Sequence, residues 1–244
     1  MSEAAHPAVY LHGWGLSGAI WSQTQASLPG HAPDLPGYGA TPTVLPYTAD
    51  ALADALAERI TAPVHLIGWS LGGMVALALA ARHPHKVSRL VLVGTSPCFA
   101  ARADWPHAVA AEVLAEFARA LESDYRATLL RFLSLQARGG DAARGVITEL
   151  RARMQTQADP NPAVLASGLA LLRSVDLRPQ VASVRCPALV VHGAHDTLCL
   201  PDAGRWLADH LPDGRLALHA RAAHAPFLSH PDWFVTTVKE FLHG

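Results

Sequence analysis

VHLIGWSLGGMVALALAARHP, residues 64–84, holds two periodicities that meet at one serine. VHLI is a short apolar β-type run, while Leu71 to Arg82 has the length and the Ala/Leu content of a helix. Ser70 stands at the junction, with Gly68 and Gly72 two residues to either side. A strand that turns at once into a helix leaves no room for side chains beside the turn. Glycines at those two positions are therefore what a serine thrust out at the strand's end requires. The helix that follows aims its free N–H groups and positive dipole end at the hydroxyl, favouring negative charge there. A helix N-cap between glycine turns is the plain alternative for Ser70; the strand before it and the helix after it favour a nucleophile elbow.

Outward from this stretch the same alternation continues. AVYL (8–11), RLVLV (89–93), ALVVH (188–192) and RLALH (215–219) are further short apolar runs bounded by Gly, Pro or Asp. Leu52, Leu56 and Ile60 fall on one helical face, as do Trp233, Phe234, Val238 and Phe241, and Pro201 and Pro231 sit where first helical turns begin. Strands alternating with helices predict the α/β class, with a mostly parallel central sheet covered on both faces. Residues 99–179 break the rhythm. They contain no convincing strand, and VAAEVLAEFARALESDYRATLLRFLSLQ, AARGVITELRARM and AVLASGLALLRSV predict three or four helices, supported by the apolar stripe Val109, Val113, Phe117, Leu121. The expected organisation is a core of residues 1–98 and 180–244 interrupted by a helical lid over 99–179, with plain core filling as the alternative use of that block.

Composition excludes several classes. The 244 residues suit one large globular domain or a core with an insertion, and 50% of them are hydrophobic, enough to build a core without disulfides or metal. A net charge of −1 offers no overall footprint for nucleic acid or anionic lipid. Cys98, Cys186 and Cys199 are odd in number, widely spaced and without a CxxC pair, which argues against a disulfide framework or a zinc site and for a reducing compartment. MSEAAHPAVYLHG lacks a basic segment followed by an apolar one, and no run reaches the roughly 18 apolar residues of a membrane span. Cytoplasmic residence is expected.

A serine hydroxyl needs a base to become nucleophilic, and that base needs an orienting acid. In the chain order that a nucleophile elbow implies, both come later, acid before histidine, each just beyond a strand. PALVVHGAHD ends on Asp196 and RLALHARAAHAPF places His224 beyond the next strand. Asp202 also lies near the first of these loops but farther from the strand end, and His192 and His219 fall within strands. A metal site built from His192, His195 and Asp196 is disfavoured because a strand sends alternate side chains to opposite faces. Donors for a developing oxyanion are expected from the amide of Leu71, next to the serine, and from the amide of Trp14 in the LHGWG loop, whose His12 reads as structural.

These residues carry a resemblance. LHGWGLSGAIW, DLPGYG, GWSLGGMVA, SPCFAARADWP, RFLSLQ, VDLR and AAHAPFLSHP are similar, in this order, to segments of the α/β-hydrolase family and, within it, of the carboxylesterases of biotin synthesis. The resemblance implies a serine esterase that needs no cofactor, with Ser70, His224 and Asp196 as its triad. The implied substrate is the methyl ester of a pimeloyl chain tethered to acyl-carrier protein. It also implies that Trp14 and Leu71 contact the ester oxygen, and that Phe132, Leu133, Ser134, Leu135 and Gln136 line the acyl pocket. Residues 126–153 carry six arginines against Asp141 and Glu149, and the resemblance singles out Arg131 and Arg144 as contacts to an acidic carrier protein. A monomer is expected. The LHGWG loop begins only eleven residues into the chain, which predicts a sheet trimmed at that edge. A broad small-ester or thioester hydrolase of the same fold, and a non-catalytic ligand receptor on that scaffold, stay open as alternatives.

Overall fold

A computed structural model describes residues 6–157 and 159–244. The chain runs through β1 (Ala8–Leu11), a 3-10 turn (Gly18–Trp21), α1 (Ser22–Ser27), β2 (Gly30–His31), α2 (Ala49–Arg59), β3 (Val64–Trp69), α3 (Leu71–Arg82) and β4 (Val87–Val93). Four helices follow: α4 (Ala111–Ser123), α5 (Tyr125–Gln136), α6 (Ala143–Thr156) and α7 (Pro162–Ser174). The sheet resumes with β5 (Ala188–Gly193), α8 (Pro201–His210), β6 (Gly214–His219), α9 (Pro226–Ser229) and α10 (Pro231–His243). Six strands form one sheet in the order β2-β1-β3-β4-β5-β6, with every neighbouring pair parallel.

Alternation along the central strands divides the core between the two faces. Leu66, Leu90, Leu92 and Val190 pack into one layer with α2 and α3, while Ile67, Trp69, Val91, Val93 and Val191 pack into the other with α10. Helix α3 is buried from Leu71 to Ala80, which is why its sequence is apolar all round rather than striped. The helix starts follow their local chemistry. Thr48 and Asn161 accept hydrogen bonds from Ala51 N and Ala163 N at the heads of α2 and α7, and Pro201 and Pro231 open α8 and α10.

The structure departs from the sequence reading at three places. Strand β2, which the sequence did not signal, has only two residues, because Pro29 and Pro33 flank it and proline supplies no ladder N–H. The stripe through Val109 is not one helix: Val109 pairs in extended form with Ala100, Val113 is 38% exposed, and the buried face of α4 is Leu114, Phe117 and Leu121. The long helical stretch ending at Gln136 divides at Asp124, whose extended backbone breaks it and whose carboxylate caps α5 by accepting from Ala127 N at 3.0 Å. Among the described residues, no helix is long and apolar enough to cross a membrane.

Candidate active site

Strand β3 delivers Ser70 to the carboxyl edge of the sheet, where α3 departs at once. Its φ of 55° makes it the one non-glycine residue among those described with positive φ, a strained position that over-determined surroundings must hold. Those surroundings are visible. Ser70 N donates to Val93 O at 3.0 Å on the neighbouring strand, and Thr95 Oγ1 donates to Ser70 O at 2.7 Å. A Cβ at Gly68 would stand 2.7 Å from Gly73 Cα, against the first turn of α3, so the backbone there tolerates only glycine. Ser70 caps no amide with its side chain, which leaves the hydroxyl uncommitted to its own helix.

Asp196 and His224 come from the loops after β5 and β6 and meet in the buried interior. His224 Nδ1 lies 2.8 Å from Asp196 Oδ2. A carboxylate accepts, so Nδ1 carries the proton and Nε2 presents its lone pair. Nε2 is buried and has no hydrogen-bond partner among the described residues, Ser70 Oγ included. Burial raises the Asp196 carboxyl, but the charge of His224 and hydrogen bonds from His192 and His224 outweigh it and hold the group well below the usual carboxylate range. Asp196 Oδ1 accepts from Leu198 N at 2.9 Å and Cys199 N at 3.0 Å. The loop bearing His224 is tied at two points: Trp69 Nε1 donates to His224 O at 2.9 Å, and His224 N donates to Gln136 O at 3.1 Å.

The LHGWG loop lies against the serine, since a Cβ on Gly13 would sit 3.4 Å from Ser70 Cβ. Among the described residues, the amides of Trp14 and Leu71 donate to no acceptor, as groups reserved for a ligand oxygen would. His12 is a scaffold: Nδ1 donates to Gly13 O at 2.8 Å and Nε2 accepts from Leu35 N at 2.9 Å. Burial, only partly opposed by Gly13 O and Asp34, pushes its pKa down to about 4.

The remaining predicted residues scatter. Trp14 donates from Nε1 to Leu165 O at 2.9 Å and meets Phe132 edge to face, with ring centroids 4.9 Å apart. Gln136, the last residue of α5, is buried against the His224 segment, with Oε1 unpartnered among the described residues. Leu133 faces the other core layer with Val146 and Leu150, Ser134 Oγ donates to Leu130 O at 2.9 Å, and Leu135 is half-buried. Arg131 pairs with Glu116 at 2.9 Å and covers the Phe117 ring, and Arg126 pairs with Asp159, so acids outside 126–153 answer part of that charge. Arg144 is exposed and in no ion pair among the described residues. Sequence reasoning missed three participants: Trp69, Thr95 and His192, whose Nε2 lies 3.3 Å from Asp196 Oδ2. A lone polar residue at the end of the buried run ALVVHG was the one available signal for His192. No group of three or more described His, Cys, Asp or Glu residues could hold a metal ion.

Comparison with known proteins places this geometry. The family model of the alpha/beta hydrolase fold matches residues 7–231. A pimeloyl-[acyl-carrier protein] methyl ester esterase of Aromatoleum aromaticum is 44% identical over 245 residues, covering 97% of this chain and 98% of that one. The protein of the same name from Chromobacterium violaceum is 42% identical, covering 96% of this chain and 93% of that one. Among solved structures, an esterase from Exiguobacterium antarcticum superposes with a TM-score of 0.88 at 23% identity over 98% of this chain and 92% of that one, a likeness of fold. The enol-lactonase of Burkholderia xenovorans LB400 gives a TM-score of 0.80 at 26% identity over 100% of this chain and 94% of that one. The chain belongs to the α/β-hydrolase fold family and, within it, to the family of the pimeloyl-[acyl-carrier protein] methyl ester esterases.

Proposed function

We propose that this chain hydrolyses the methyl ester of a pimeloyl group carried on acyl-carrier protein, using Ser70, His224 and Asp196. The observation that carries the reading is the buried 2.8 Å contact of Asp196 with His224 Nδ1, which turns an unpartnered Nε2 lone pair toward chemistry in a chain of this family. Ser70 Oγ attacks the ester carbonyl carbon as its proton passes to His224 Nε2. The amides of Trp14 and Leu71 receive the oxyanion, a contribution of about 3 kcal/mol for each donor in comparable sites. The C–O bond to methanol then breaks, and the departing oxygen takes the proton from Nε2. Water repeats the sequence on the acyl-enzyme and releases a free carboxylate, restoring Ser70.

Residues 99–179 act in this proposal as a lid on the core formed by 1–98 and 180–244. Phe132 against Trp14 forms its apolar floor, with Gln136 beside the base and Leu133, Ser134 and Leu135 shaping the helix that carries both. Arg144, exposed and unpaired among the described residues, is the stronger carrier contact; Arg131 first has to exchange Glu116 for the carrier. The enzyme is taken as a cytoplasmic monomer.

Turnover of the carrier-bound pimeloyl methyl ester, set against short p-nitrophenyl esters, tests the substrate. A preference for the carrier-bound ester in kcat/KM is expected; equal or lower turnover identifies a broad small-ester hydrolase instead. Ser70→Ala is expected to abolish both activities and labelling by a fluorophosphonate. An unlabelled, inactive wild type would establish a ligand receptor.

A further inference from the structure

His192 is the last residue but one of β5, and its ring is fully buried. Nε2 lies 2.7 Å from Cys199 O and 3.3 Å from Asp196 Oδ2. Both oxygens are acceptors, so the proton is on Nε2, bonded to Cys199 O with the carboxylate close beside it. Nδ1 is buried with no partner among the described residues, pressed against Gly204, where a Cβ would stand 2.5 Å away. The acceptors at Nε2 hold the ring in this one tautomer, and packing fixes its plane.

The Asp196 carboxylate is thus faced by four N–H groups, three of them hydrogen-bonded to it. Leu198 N and Cys199 N take Oδ1, while His224 Nδ1 and His192 Nε2 approach Oδ2 from different elements. The titratable groups facing it are His192 from β5, His224 from the loop after β6, and the Cys199 thiol from its own turn, pushed up by burial and then by the Asp196 charge. Of these, His192 alone also grips the turn itself, through Cys199 O.

We propose that His192 is a positioning residue for the reaction: its Nε2–H fixes the 196–199 turn to β5 and draws part of the Oδ2 charge away from His224. It touches no substrate. Its effect reaches the chemistry through Asp196, and the inference rests on the esterase reading above.

The test is the pH profile of kcat/KM on a p-nitrophenyl ester. His192→Phe keeps a planar ring, somewhat larger than imidazole, and removes the donor. Its kcat should fall about tenfold with KM little changed, from the loss of the bond to Cys199 O and of a polar N–H beside the charged Asp196. Oδ2, relieved of a donor, presents more charge to His224 and stabilises the imidazolium. The acid limb should therefore move to higher pH, by about half a unit to one unit. His192→Gln, whose amide nitrogen reaches the place of Nε2, should restore most of the rate and the original limb, while His192→Asn, too short, should resemble Phe. The Gln and Asn pair carries the same contrast should the Phe variant not fold. A drop in rate with the acid limb unmoved in Phe and Asn alike would overturn the inference and leave His192 as packing. Ser70→Ala assayed in parallel separates the two failures: activity surviving there refutes the esterase reading, whereas an inactive Ser70→Ala beside an unmoved His192→Phe profile refutes this inference alone.

Discussion

Replacing Asp196 with asparagine removes one charge without changing the shape of the side chain, and the hydrogen bonds around it determine the consequence. The amides of Leu198 and Cys199 donate to one oxygen, so the asparagine carbonyl has to remain there and its NH2 has to take the place of Oδ2. That NH2 faces His224 Nδ1 at the site of a 2.8 Å contact, donor against donor. The clash is relieved only when Nδ1 gives up its proton and accepts, which moves the proton to Nε2. An Nε2–H imidazole cannot take the Ser70 proton. The same tautomer change in a serine protease triad lowers kcat about 10⁴-fold, and about 5.5 kcal/mol of barrier is expected here. The fold should survive, because both backbone amides keep their acceptor. Steady-state hydrolysis of a p-nitrophenyl ester, with far-ultraviolet circular dichroism as the folding control, measures both. An Asp196→Asn enzyme that folds and keeps more than about a tenth of the wild-type kcat refutes the reasoning, since no tautomer argument then applies.

Three further outcomes are expected. Gly68→Ala should lose about 1–3 kcal/mol in urea titration and most activity, because the new Cβ strikes the backbone of α3; Gly145→Ala, in α6 with open space around it, should gain about 1 kcal/mol. His12 has its pKa lowered to about 4, below the unfolded value, so the unfolded chain binds protons first as pH falls; its contribution to stability should drop from about pH 6.5 down to about 4 and then level, with about 3 kcal/mol at stake. Urea midpoints of wild type and His12→Asn over that range check it: the variant's slope should be shallower, with His65, also lowered to about 4 by burial and neighbouring charge, supplying the remainder. Arg144→Glu should raise KM for the carrier-bound ester several-fold and leave a small ester untouched; equal loss on both substrates makes the residue structural.

Much of this site was legible because its chemistry is local. The G-x-S-x-G spacing is a packing requirement of one turn, so Ser70 could be read from five residues, and Gly68 meets the α3 backbone as that requirement demands. Asp196 and His224 were legible because each lies in the loop just beyond a short run read as a strand. What escaped depends on how distant pieces pack. Two residues of β2 between prolines leave no periodicity to detect. Val109 and Val113 have helical spacing, yet the bridge to Ala100 claims the first and solvent the second. His192 looked like an inert strand residue because alternation says which face a side chain takes. It does not say that the 196–199 turn curls back until Asp196 and Cys199 both reach that ring.

The carbonyl of Gln136 receives the backbone N–H of His224, and Arg221 O receives Asp141 N a few residues away. The carboxyl end of α5 is thereby stitched to the segment that carries the imidazole. Any rearrangement of that helix to let a long acyl chain in or a product out tugs on the proton acceptor as well. Helix and imidazole are mechanically geared: through this shared backbone bond, a displacement of one is felt by the other.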